Sequence, residues 1–270
     1  MRYNNGMQSR QEHALERVGA AGARRPLAVW LAGPIAIESA IAMAERLAWE
    51  VSEPEGRPPT LVLAELTPGI TIGRGGSRTD VELADDELRA HRLAVRFVGR
   101  GGGAILHGPG QVAVSLFATL EDLGLGRHDV GPYLERFEHA LEGAVRQVRC
   151  GAARDSSLPG IFGRTGLLGA VGIAVRRGVV WHGGFLNVRP DMRLFDRVRT
   201  LPVAAAAPQR TMGSIEADVQ RPVRLQDVRA ALVQQMVDAF GFPRAHIQSG
   251  FPVPVEGAVG HREEIVNRVG

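Results

Sequence analysis

The residues best suited to chemistry lie in RGGGAILHGPGQ, positions 100–111. Arg100 carries a permanent cation, while Gly101, Gly102 and Gly103 remove three successive Cβ atoms. Backbone N–H groups in such a run can come close to an anionic or carbonyl oxygen, so the stretch suits gripping the polar end of a substrate. His107 adds a proton carrier and Gln111 an amide that both donates and accepts. A nucleotide phosphate loop would continue into Gly-Lys-Ser/Thr, and that continuation is missing. The whole chain lacks lysine: all 32 basic residues are arginine.

Three further side chains compete for attention. His182, in WHGG at 181–184, reads either as a core histidine satisfied by backbone or as a site residue. His107 reads as a loop-fixing hydrogen bonder or as a pocket-lining group near a carbonyl or a partner's lysine, and we favour the pocket. Together with Asp191 the two histidines could form a metal set by composition, but no short ligand spacing supports one and no metal is expected. Cys150, the one cysteine, excludes an intrachain disulfide framework and a thiolate zinc knuckle. Lone intracellular cysteines are more often inert and buried than nucleophilic.

The elements that must hold these residues follow from apolar spacing. Ile37, Ile41, Ala44, Leu47 and Val51 recur at helical steps, predicting a helix over 36–52 closed by EPEGRPP. TLVLAEL (60–66) and GITI, entering a glycine loop, read as strands. A short helix follows at 85–91, and Leu93–Val98 alternates as a half-buried strand delivering Arg100 at its end. After the strand GQVAVSLF, a helix places Leu134, Phe137, Leu141, Ala144 and Val148 on one face. GAVGIAV and VVWHGGFLNV form a hairpin around RRG, and Val228, Leu232, Met236 and Phe240 mark a last helix over 225–240. Residues 1–26 read as a flexible leader, 27–242 as one domain, and 243–270 as a Pro/Gly-spaced surface tail.

Several of these strings resemble one family, the octanoyl-acyl-carrier-protein:protein octanoyltransferases (lipoate-biosynthesis protein B) of the lipoate/biotin protein ligase superfamily. TIGRGG at 71–76 is similar to the family's threonine-leucine-glycine-arginine turn, and RGGGAILHGPGQ to its RGG…HGPGQ substrate loop. GAVGIAVRRGVVWHGGFLNV, DMRLFDRV and SIEADVQRPVRLQDVRAAL resemble its hairpin, the acidic segment after it and the stretch leading into its last helix. The resemblance spans about 35–240. It implies an α/β (α+β) domain, a mixed β-sheet flanked by helices, with no cofactor. It also implies substrate contacts from Arg74, Arg100, Gly101, Gly102, Gly103, His107, Gly108, Gly110 and Gln111 in the two loops. From the hairpin it implies Ala170, Val171, Gly172, His182, Gly183, Gly184 and Asn187.

Members of that family move an octanoyl chain from acyl-carrier protein to a cysteine and then to a lysine of a lipoyl domain. A second lysine, on the enzyme, steadies the carbonyl end and favours the thiolate, the form that attacks. Counting back from Gly172, the lysine position falls on Leu167; counting on from Phe195, the cysteine position falls on Leu201. Two leucines suit a pocket that holds an acyl chain without attacking it. The expectation is therefore a non-catalytic binder of an octanoyl or lipoyl group, with acyl-carrier protein or a lipoyl domain as partner. The alternative is an acyltransferase using another nucleophile.

Composition sets the remaining bounds. With 270 residues, 44% hydrophobic and 23% charged, the chain can bury a sizeable core. Net charge is only +3, arginines are scattered and aromatics are 5%, so neither a phosphate-tracking stripe nor a base-stacking platform is expected, and no nucleic-acid partner. No run approaches a membrane span, and the expected location is the cytoplasm.

Overall fold

The computed structural model describes residues 24–155, 158–201 and 212–252. Most of the leader and of the tail thus lie outside the described residues. The strands are β1 (Leu27–Ile35), β2 (Thr60–Leu66), β3 (Gly69–Ile72), β4 (Ala94–Phe97), β5 (Ala104–His107) and β6 (Gln111–Thr119), followed by β7 (Ala153–Asp155), β8 (Leu158–Gly163), β9 (Gly166–Arg176), β10 (Val179–Asn187) and β11 (Ala245–Ser249). The helices are α1 (Ile37–Ser52), α2 (Asp85–Ala90), α3 (Val130–Gln147), α4 (Ile215–Val219) and α5 (Leu225–Phe240).

Eight strands form one sheet in the order β11-β1-β2-β6-β10-β9-β8-β7, and β4-β3-β5 form a smaller one. In the large sheet β1 pairs parallel with both β11 and β2, and the remaining pairings are antiparallel. Alternation along β2 explains how this sheet feeds two cores: Leu61 and Leu63 pack with α3 and α5, whereas Val62 and Ala64 pack with α1. The helix faces expected from spacing are those buried, with Phe137, Leu141 and Ala144 of α3 and Val228, Leu232, Met236 and Phe240 of α5 all enclosed. α5 stops at Gly241, whose φ of +65° lets its N–H turn back to the carbonyls of Val237 and Asp238. The β9–β10 hairpin turns at Arg177 and Gly178, both with positive φ, a twist that matches the flanking strands. Among the described residues no helix is long and apolar enough to cross a membrane.

The structure adds strands that spacing alone leaves unread. Residues from Pro243 look like a surface tail, yet Ala245–Ser249 forms an edge strand on β1 while its side chains stay mostly exposed. Ala104–His107, read as part of a loop, is a fully buried strand paired with β3.

Candidate functional site

The glycine loop is packed rather than free. It joins β4 to β5 and is zipped to the turn after β3: Gly73 N–H donates to Gly103 O at 3.1 Å, Arg74 N–H to Arg100 O at 2.9 Å and Gly75 N–H to Gly102 O at 3.1 Å. Gly101 N–H donates to Ile173 O at 2.8 Å, tying the loop to β9. That closeness requires Gly172, because a Cβ there would stand 2.6 Å from Gly101 O.

Arg100 is only 7% exposed and holds the loop from inside. Its Nη1 donates to Gly101 O (2.9 Å) and Gly103 O (3.1 Å), and its Nη2 to Thr71 O (3.0 Å) and Thr71 Oγ1 (2.8 Å). Burial lowers this guanidinium to about 10, still cationic at neutral pH. From Thr71 a one-way hydrogen-bond chain runs on. Gln111 Nε2 faces two acceptors, Leu106 O at 3.1 Å and Asn187 Oδ1 at 2.8 Å, so Gln111 Oε1 must accept from His107 Nδ1–H at 2.8 Å. His107 Nε2 is then the acceptor for the Thr71 hydroxyl, also at 2.8 Å. Asn187 Nδ2 ends the chain on Gly213 O at 3.1 Å. Burial first, and the Arg100 charge second, lower His107 to about 4, so its imidazole is neutral with both nitrogens engaged.

Above this chain lies a cleft of about 100 Å³ between α1 and the sheets. Ile35, Ile37, Ala40, Ile41, Met43 and Val62 belong to its apolar wall, and Thr71, Arg100, His107, Ser115 and His182 are its polar lining. Gly172, Gly183 and Gly184 also line it. His182 stands out in two ways. Its backbone has φ +63° within β10, and among the described residues its buried Nε2 has no hydrogen-bond partner. The ring stacks on Trp181 with centroids 4.3 Å apart, and burial followed by the Arg100 charge lowers it to about 4.

Other positions fall elsewhere. Arg74 is exposed, and Gly108 and Gly110 shape the turn into β6, where Gly110 N–H donates to Glu65 Oε2 at 2.9 Å. Val171 packs in the core shared with α3 and α5, while its neighbour Ala170 faces a small cluster with Ile105, Phe185 and Leu167. Leu201 packs against that same cluster, so the two leucines at the counted lysine and cysteine positions meet in one apolar group. Ile105 and Phe185 belong to both the cluster and the cleft wall, which places the leucines just beyond the cleft. Asp191 is exposed and caps the turn Met192–Arg197, and among the described residues no three His, Cys, Asp or Glu side chains converge as for a metal. Cys150 is 2% exposed with Sγ 3.7 Å from Asp218 Oδ2; burial, reinforced by the Asp218 charge, pushes its thiol up to about 11. That is the wrong direction for a nucleophile.

Sequence reading missed Thr71, the hinge of the hydrogen-bond chain, although TIGRGG begins with it. Its partners lie 29 and 36 residues away, a separation that no local pattern reports.

Residues 36–237 match the family of lipoyl protein ligase A/B catalytic domains. An octanoyltransferase of Geobacter metallireducens is 34% identical over 200 residues, covering 74% of this chain and 87% of the relative. Among solved structures, a bi-partite lipoate protein ligase from Thermoplasma acidophilum, studied with its E2 lipoyl domain, superposes with TM-score 0.66 at 16% identity over 90% of this chain and 93% of that one. A T. acidophilum protein solved with lipoic acid bound gives TM-score 0.62 at 16% identity over 85% of this chain and 90% of its own. At such identity the structural likeness is one of fold.

Proposed function

The chain belongs to the lipoyl protein ligase A/B catalytic domain family, and on that premise we propose that it binds an octanoyl or lipoyl group without transferring it. Its octanoyltransferase relatives support a place in lipoate metabolism. The observation that carries the reading is the meeting of Leu167 and Leu201 with Ile105, Ala170 and Phe185. Acyl transfer through a thioester needs a thiolate and a cation to favour it, and these two side chains supply hydrocarbon only. Lysine is absent from the entire chain, so no slip in counting restores it.

What remains suits binding. An apolar wall gains about 0.8 kcal/mol per methylene buried, which offsets much of the association cost for a medium-length chain. The partner carrying such a chain is an acyl-carrier protein or a lipoyl domain. The reading in which another nucleophile replaces the cysteine draws no support from Cys150, buried beside a carboxylate.

The test is complementation. In a cell lacking both its octanoyltransferase and lipoate scavenging, expression of this chain is expected to leave lipoyl domains unmodified. Restored lipoylation would overturn the reading.

A further inference from the structure

The two edges of the eight-stranded sheet are unlike. One is β7, a short strand carrying Arg154 and Asp155, the kind of edge that discourages pairing with another chain. The other is β11, Ala245–Ser249, whose sequence AHIQS holds no proline, arginine or carboxylate and whose register with β1 is unbroken. Such a strand offers a row of backbone donors and acceptors to any strand that can lie beside it.

The bonds to β1 determine which of those groups face outward. Leu27 N–H donates to Arg244 O at 3.0 Å, and Gly250 N–H donates to Leu31 O at 3.1 Å. Between them Leu27 stands beside Ala245 and Leu31 beside Ser249 without a shift. Successive residues of a strand direct their N–H and C=O to opposite edges, so His246 and Gln248 face β1 as Arg244 and Gly250 do. Ala245, Ile247 and Ser249 direct theirs away from the sheet. Among the described residues no strand pairs with that outer edge.

The strand is complementary to itself about Ile247. Laid antiparallel on a second copy with Ile247 opposite Ile247, it brings Ala245 opposite Ser249 and His246 opposite Gln248. In that register the outward residues form the pairs that exchange both N–H···O bonds, so every outward N–H meets an outward C=O. A slip of one residue sets outward groups against groups that face β1, and no ladder forms. The side chains agree with the register. Ile247 is 58% exposed and meets its own copy, covering apolar surface on both. On the other face of the sheet an imidazole meets an amide, two groups that can hydrogen-bond. Arg244, the nearest arginine, comes opposite Gly250 and not opposite another cation.

We propose that β11 is a homodimer contact, in which two copies pair β11 antiparallel about a two-fold axis at Ile247 and join their eight-stranded sheets into one. A two-fold contact uses the same patch on both subunits, the condition that this strand meets. None of its five residues lines the cleft, so the inference is independent of what the cleft holds. A contact made by one short strand belongs to the small, transient class, so the dimer is expected to be weak and concentration-dependent.

Sedimentation equilibrium of the full-length protein over a wide concentration range is expected to show reversible monomer–dimer exchange. Ile247→Lys and Ile247→Glu each set like charges against one another across the axis, and each should weaken association about tenfold or more while melting as cooperatively as the parent. Mixing the two variants should restore dimers, a rescue that requires position 247 to face itself. A parent that stays monomeric throughout would overturn the inference and leave the edge to another occupant. Dimers that persist in both variants, or variants that fail to rescue one another, would place the contact elsewhere and overturn it equally.

Discussion

His107 Nε2 lies 2.8 Å from Thr71 Oγ1, joining the last residue of β5 to its neighbour β3 in the small sheet. The same hydroxyl accepts from Arg100, so one oxygen links the buried cation to the buried imidazole. Replacing it by Thr71→Val keeps the shape but strands His107 Nε2 and removes one acceptor of Arg100. Burying such groups unpaired costs about 1–3 kcal/mol each. Urea unfolding should show a loss of at least about 2 kcal/mol on that scale. A variant as stable as the parent would mean that the chain of bonds is incidental.

Acid should weaken the site in a defined window. Both His107 and His182 are lowered from 6.5 to about 4. Between those values the unfolded chain binds protons that the folded one refuses, so stability is complete above about 6.5 and falls as pH drops toward 4. For fully enclosed His107 the displacement corresponds to about 3 kcal/mol. Unfolding midpoints at pH 7.5 and 4.5 should differ more for the parent than for His107→Gln. Equal differences would contradict a neutral buried imidazole.

Much of this architecture is legible in the sequence. The helix expected over 36–52 is Ile37–Ser52, and the hairpin around RRG turns where expected. Other parts are not local properties. β1, LAVWLAGPI, contains Gly33 and Pro34 and follows a polar leader, so its continuous apolar run lacks the alternation that marks a half-buried strand. β11 exists by pairing with β1 more than 200 residues earlier, and its mostly exposed side chains carry no burial pattern. In the site, His107, Gln111 and Arg100 were readable because glycines surround them. Thr71 and the unpartnered Nε2 of His182 needed the packing of β3, β5 and β10.

The glycines of the loop differ in what they permit. A Cβ on Gly103 would stand 2.7 Å from Thr200 O, against backbone that leads directly to Leu201. Gly102 has open space, with Arg100 Nη1 3.6 Å from the added atom, but its φ of +81° strains any other residue. Gly102→Ala is therefore expected to cost about 1–2 kcal/mol through backbone strain alone. Gly103→Ala should cost more and loosen the segment before Leu201. Thermal melting ranks the two, and an equal or reversed order would contradict this packing.

Restoring chemistry should require two changes together. Leu201→Cys alone supplies a thiol among Leu167, Ile105 and Phe185, where apolar surroundings disfavour the thiolate. Leu167→Lys alone places an ammonium at a position that is 0% exposed, destabilising the protein without supplying a nucleophile. The double variant is expected to form a detectable acyl adduct, because nucleophile and cation act as a unit. Transfer by Leu201→Cys alone would show that the missing lysine is not needed.

The most direct measurement concerns the unaltered protein. Incubated with octanoyl-acyl-carrier protein and a lipoyl domain, then examined by intact mass, it should remain at its own mass with the lipoyl domain unmodified, while ligand-detected NMR reports reversible binding of octanoate. An octanoyl adduct on the chain, or octanoylation of the lipoyl domain above background, would contradict the account that Leu167 and Leu201, in one apolar group, stand in place of the reacting pair.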